Sequence, residues 1–301
     1  MRFAAKIVRH FRCGSMNLIN RENRRYFGLA ACVVYLAVSH GAAFGSISLA
    51  LPTYSENFDG KLTATAANAS VATWSTTVGV QSPVPGTSGW DGVKLAGSST
   101  TTLMPYITSI GTSLTGGIYN FGAASAVDRA LGTLGSGANA PGIGVELVNN
   151  TGALIDQVTI SYTGEFWRGS TSVQNVLTFG YFLTGVTSTN YLSAGGASSV
   201  AALDLLGPAP VTSNGPLDGN TNNAPFAATF SVAWPIGSSL FLRWQDVDNT
   251  GFDAGLAIDS FSLTGRQVVV VAAVPEASTI FVWATLCGSV LVGWRRCLQV
   301  T

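Results

Sequence analysis

The chain is 301 residues long and formally neutral, with 15 basic and 15 acidic side chains. Charged residues make up only 10% against roughly 25% in an average soluble domain, while 47% are hydrophobic and 35 are glycine. This excludes a charge-rich disordered chain and a basic nucleic-acid binder, so no nucleic-acid partner is expected. It also excludes a polytopic membrane protein, because the two long apolar runs lie one at each end.

In chain order the first element is an address. Residues 1–45 hold seven basic side chains and one acid, and a basic segment precedes the apolar run 27–39, FGLAACVVYLAVS. Gly41, Ala42, Ala43 and Gly45 follow, which places cleavage near Ala43 or Gly45. Positive, apolar and small-residue regions in that order predict a signal peptide over 1–45, handled by the Sec translocon. Met16 would give a leader of ordinary length and is a candidate true start. Arg24-Arg25 is a partial twin-arginine match, but Asn23 stands where Ser or Thr is usual, so Sec export is the expectation.

The body, residues 46–267, contains no His and no Cys: His10, His40, Cys13, Cys32, Cys287 and Cys297 all lie in the two ends. A Ser-His-Asp or Cys-His nucleophile and a His/Cys zinc site are therefore excluded from it, as is disulfide stapling. Period-two or fully apolar runs recur between Gly/Asn/Asp/Ser clusters: 158–162 (VTISY), 176–183 (VLTFGYFL), 226–234 (FAATFSVAW), 239–244 (SLFLRW) and 256–264 (LAIDSFSLT). In the last, the apolar parity flips at Asp259-Ser260, which predicts a bulge. Helical periodicity is absent, and the pattern predicts an all-β, jelly-roll-like β-sandwich. Residues 208–225 read as a polar loop within it. Residues 268–274 read as a final edge strand or a lead into the tail.

Three groups are candidates for chemistry. Trp90, beside Gly89 and Asp91-Gly92, and Trp167, at a charged strand end, are candidate exposed rings for stacking on a sugar, whereas Trp234 and Trp244 sit in strands and belong to the core. Glu165 is the glutamate a carboxylate-dependent glycosidase would pair with an aspartate, although no spacing selects a partner and an ion pair explains the segment equally well. Asp246, Asp248 and Asp253 surround Gly251 in an oxygen-rich stretch that suits Ca²⁺. Ala257 at the twelfth position rules out an EF-hand, and a solvated hairpin between the 239–244 and 256–264 strands is the alternative. Residues 46–273 carry six basic and thirteen acidic side chains, a net of −7, which sharpens the case for a counter-ion.

At the end, Val274-Pro275-Glu276 leads into an apolar run over 280–293, then Trp294, Arg295 and Arg296. Such a run is short for a membrane span, and an aromatic followed by positive charge is the layout of a cytoplasmic border. This tail resembles the PEP-CTERM sorting signal, in which an exosortase-type membrane protease recognises a Val-Pro-Glu-Pro motif followed by a short helix and a basic cluster. Ala277 departs from the motif's second proline. Body segments also resemble uncharacterised extracellular domains that often carry this tail, in 56–60 (ENFDG), 117–122 (GIYNFG), 128–132 (DRALG), 149–152, 160–164, 217–220 and 242–263. The resemblance implies a secreted β-sandwich and a precursor anchored in the inner membrane, then released to the cell surface. The expected function is a non-enzymatic cell-surface or extracellular-matrix protein. The alternatives are a carbohydrate-binding module acting on exopolysaccharide and a glycosidase.

Overall fold

The computed structural model describes residues 45–61, 68–74, 77–100, 103–171, 173–212 and 214–268. Both terminal addresses, including Val274, Pro275, Glu276, Arg295 and Arg296, lie outside the described residues. No helix among those described is long and apolar enough to cross a membrane.

The first half of the chain contributes β1 (Ile47–Leu49), β2 (Thr53–Glu56), β3 (Ala69–Trp74), β4 (Gln81–Pro83), β5 (Trp90–Ala96), β6 (Met104–Ser109), β7 (Gly117–Phe121), β8 (Ala130–Leu134) and β9 (Ala140–Asn149). The second contributes β10 (Ile155–Arg168), β11 (Val176–Phe182), β12 (Ser198–Ser199), β13 (Leu205–Leu206), β14 (Asn223–Trp234), β15 (Ser239–Gln245) and β16 (Gly255–Gln267), with one 3-10 turn at Ala201–Leu203. These strands form two eight-stranded sheets, so the described body is an all-β sandwich. One sheet runs β12-β11-β15-β9-β5-β4, with β1 against β9 and β13 against β11. The other runs β14-β10-β16-β8-β7-β6-β3, with β2 against β16.

Alternation decides which side chains face inward. Ile143, Val145 and Leu147 of β9 meet Val158, Ile160 and Tyr162 of β10 between the sheets. Strand β16 starts with Leu256 and Ile258 inward and finishes with Phe261 and Leu263 inward. The flip is a bulge: Ser161 pairs with Ser262 but Thr163 with Asp259, leaving one extra residue on β16, and Ser260 has φ +48°. At the centre, Trp244 stacks on Trp90 at 6.0 Å and stands edge-on to Phe261 at 5.9 Å and Phe179 at 5.1 Å.

Both sheets also carry cover on their outer faces. On the β9 sheet, Tyr191 and Leu192 from the connection after β11 pack on Val93, Phe182 and Phe241. Gln81 clasps that connection, donating to the carbonyl of Ser188 at 2.9 Å and accepting from the amide of Leu192 at 2.8 Å. On the β10 sheet, Tyr119, Phe121 and Trp167 form a parallel stack, with spacings of 4.6 and 5.8 Å.

The buried cations are held by carbonyl oxygens and an amide rather than by carboxylates. Lys94 donates to Ser99 O, Arg168 to Gly111 O and Asn214 O, and Arg243 to Tyr191 O and Leu192 O while lying 4.9 Å from the Phe182 ring. Arg129 donates to Asn120 Oδ1, Asn120 O and Ala123 O, and its amide reaches Asp59 Oδ1 at 3.1 Å. The segments ENFDG, GIYNFG and DRALG thus meet at Arg129, the first through its backbone amide and the second through its guanidinium. These residues secure the fold, since a buried charge must be hydrogen-bonded.

Candidate functional site

The two tryptophans expected on the surface are inside. Trp90 begins β5, which pairs with β4 and β9, and its ring has no exposed surface. Its indole N–H donates to Tyr54 Oη at 3.0 Å, and Phe58 stands edge-on at 5.0 Å. Burial and a satisfied polar atom leave no face for a sugar. Trp167 is 2% exposed, because the loop before β14 lies across it: a Cβ on Gly219 would sit 2.3 Å from its Nε1. Trp234 and Trp244 are in the core as the sequence indicates.

Glu165 is the acceptor for the Trp167 indole N–H, at 2.8 Å. Burial pushes its carboxyl up to about 7, opposed by that hydrogen bond and reinforced by Asp259, Asp128 and Asp218. It makes no ion pair among the described residues, and it is only 4% exposed. The chemistry this supports is packing of Trp167.

The acidic stretch is also placed differently from the hairpin reading. Strands β15 and β16 belong to opposite sheets, so residues 246–254 cross the end of the sandwich. Sequence order identifies neighbours in the chain and leaves open which sheet takes the next strand. Asp246 continues the β15 ladder, its amide donating to Pro141 O at 2.9 Å, and it is 3% exposed. One carboxyl oxygen accepts from the Val247 amide at 2.9 Å, and the other makes no hydrogen bond of normal geometry. Burial raises this carboxyl to about 8, the Thr133 hydroxyl and Val247 amide pull it down, and Asp253 and Asp248 push it up. Asp253 accepts from Asn175 Nδ2 at 2.9 Å and the Asn249 amide at 3.1 Å, and burial raises its pKa as well. Asp248 is exposed. Among the described residues no group of three or more His, Cys, Asp or Glu side chains is placed to hold a metal ion. Each of the three expected calcium ligands thus has a separate environment.

What the crossing segment does build is a groove. A hollow of about 560 Å³ lies between it, the end of β5 and the β8–β9 turn, with Gln245, Asp248, Ser136, Ser193 and Leu95 on its walls and Asp246 among them. A second, of about 230 Å³, adjoins it across Ser136, Gly137 and Asp248, and is bounded by Leu134, Phe252 and Asp253. Gly135 lets the two segments approach, since a Cβ there would lie 2.7 Å from the Val247 carbonyl oxygen. Phe252 is 52% exposed, and its amide is tied to Thr171 Oγ1 at 3.2 Å. Neither lining contains Lys or Arg. The sequence flags this stretch by its acids, while the exposed ring next to Gly251 is the feature it hides.

No family model matches the chain, and no curated protein matches it. Among solved structures it is similar to the K3 cleaved adhesin domain of Lys-gingipain from Porphyromonas gingivalis, at 12% identity over 65% of this chain and 99% of that one, with a TM-score of 0.36. It is also similar to a xylan-binding domain from Paenibacillus barcinonensis, at 17% identity over 68% and 100% of the two chains, with a TM-score of 0.28. A family 16 carbohydrate-binding module matches at 16% identity over 47% of this chain and 80% of that one, with a TM-score of 0.25. These likenesses assign no ligand or activity to this chain.

Proposed function

We propose that the chain is an exported, non-enzymatic surface or matrix protein whose jelly-roll-like sandwich holds a polysaccharide in the groove of the 246–254 crossing. The observation that carries the binding reading is the exposed Phe252 ring at the edge of two adjoining hollows that present hydroxyl, amide and carboxylate groups. An apolar ring face with a few convergent polar groups is how a site discriminates a sugar from water. With acids and no base in the lining, neutral exopolysaccharide fits better than a uronate-rich one. Calcium at Asp246, Asp248 and Asp253 forms no part of this reading, because among the described residues no group of three or more acidic side chains is placed to hold a metal ion.

Titration calorimetry against neutral and acidic oligosaccharides tests the groove. Neutral glycan binding that weakens about tenfold in Phe252→Ala, with an unchanged melting curve, is the expected result, since a stacked ring contributes on the order of 1 kcal/mol or more. No binding at millimolar glycan removes the reading.

Delivery rests on the termini. The precursor passes through the Sec translocon, is held by the 280–293 run, and is processed at Val274-Pro275-Glu276 by an exosortase-type protease. Mass spectrometry of the mature protein from producing cells is expected to find residues 280–296 gone. A mature species that retains them would make the tail an anchor only.

A further inference from the structure

The four strands that terminate the two sheets differ greatly in length. Strands β12, β4 and β3 have two, three and six residues, whereas β14 has 12. It pairs with β10 from Glu165 to Ile155 along one side and with no described strand along the other. A bare edge of this length is a row of free amides and carbonyls, which proteins usually blunt with lysines, prolines or bulges. Between Asn223 and Trp234 there is no charged side chain, and the one proline, Pro225, is near the start.

The side chains say that the edge is unfinished. Its outward positions are exposed and small, Ala227, Thr229, Ser231 and Ala233 among them. Its inward positions Phe226, Ala228, Phe230 and Val232 pack on the core yet stay only partly buried, unlike their counterparts on β10. Phe226 lies on Tyr162 at 5.2 Å and Phe230 on Tyr181 at 4.8 Å, so the rings are fixed in place with one side open.

We infer that β14 is the contact between two copies of this chain, paired antiparallel across a two-fold axis. An antiparallel strand facing itself is self-complementary, which is the requirement of an isologous interface. The body carries a net of −7, and a second copy can come this close where the meeting surface is uncharged. Pairing centred on Thr229 puts Ala227 opposite Ser231 of the partner subunit and extends the second sheet through the interface. It sets Phe226 opposite Val232 of the partner subunit and Phe230 opposite Ala228 of the partner subunit, which covers their open sides. Twelve residues at about 3.4 Å each give a strip about 40 Å long, which at about 10 Å width buries about 400 Å² per partner. That is at the weak end of specific interfaces, so exchange at micromolar concentration is expected.

Sedimentation of the full chain in detergent micelles, from about 1 to 100 μM, tests this. The expected result is a monomer–dimer equilibrium. Ala227→Lys with Ser231→Lys sets like charges opposite each other and should weaken it at least tenfold. Ala227→Lys with Ser231→Glu sets opposite charges there and should restore it. Both positions are exposed, so melting curves of the variants should match the parent. A monomer at every concentration, a dimer indifferent to the lysine pair, or a lysine–glutamate variant as weak as the lysine pair would each overturn the assignment.

Discussion

Raising the pH from 5 to 8 lowers the melting temperature of the sandwich, on the order of 10 °C. Burial holds the Asp246 carboxyl at about 8 and the Asp91 and Glu165 carboxyls at about 7. For Asp91 the Tyr191 hydroxyl, 3.2 Å from Oδ2, pulls the other way, and Glu146 reinforces the rise. In the unfolded chain all three ionise near pH 4. Between about pH 4 and 8 the folded state therefore keeps protons that the unfolded state has released. Stability present at pH 4–5 is lost as the pH climbs toward each folded value. Each group contributes at most about 1.4 kcal/mol per pH unit up to its folded value, a ceiling of about 9 kcal/mol for the three that relaxation and solvent screening reduce to a few, and a domain of this size loses about 2–4 °C per kcal/mol. Calorimetric scans at constant ionic strength check it, and Asp246→Asn should flatten part of the slope. A melting temperature that is level or rises from pH 5 to 8 would refute the assignment of these carboxyls as neutral in the fold.

Replacing Trp244 by alanine removes about 3–5 kcal/mol of the body's stability, and Trp90→Ala does nearly the same. Each ring is fully buried, and Trp244 touches Trp90, Tyr162, Phe179 and Phe261 within 6.0 Å. Deleting such a side chain costs about 3–5 kcal/mol, a large share of the 5–15 kcal/mol of a typical domain. Denaturant midpoints measure this directly. A loss below about 1 kcal/mol would mean that the ring is not the centre of the core. The consequence for function tests is concrete: lost glycan binding in Trp90→Ala or Trp167→Ala would report disrupted packing, whereas Phe252→Ala addresses the exposed ring without touching the core.

The strands that could be read from sequence are those whose two faces differ. Thr159 and Ser161 between Val158, Ile160 and Tyr162 give β10, and the parity flip at Asp259-Ser260 marks a bulge that is there. Strand β5, WDGVKLA, is hidden because both faces are covered. Asp91 lies under the connection after β11, where Tyr191 donates to it, and Lys94 is buried against the Ser99 carbonyl, so their charges mimic a surface segment, and the Gly-Trp-Asp-Gly run mimics a turn. What buries Trp90 is β9, more than fifty residues on, where Val145 is its ladder partner. The groove was half legible for the same reason. The acids of residues 246–253 are local, but the walls at Ser136, Ser193 and Leu95 come from three distant segments. The spacing of carboxylates along the chain carried no information about which of them would turn inward.

Strand β16, the last one described, sits in the interior of its sheet. It joins β10 to β8 and also receives β2, with Tyr54 opposite Leu263, more than two hundred residues apart. Until it is laid down, β14-β10 and β8-β7-β6-β3 are two fragments with no common ladder. The contact order of this fold is therefore high, and such topologies fold slowly. A chain emerging amino end first, from a ribosome or through a narrow pore, keeps its two half-sheets apart until residue 267 has cleared the exit. Closure of this sheet is thus timed by the arrival of β16, the last of its strands to emerge.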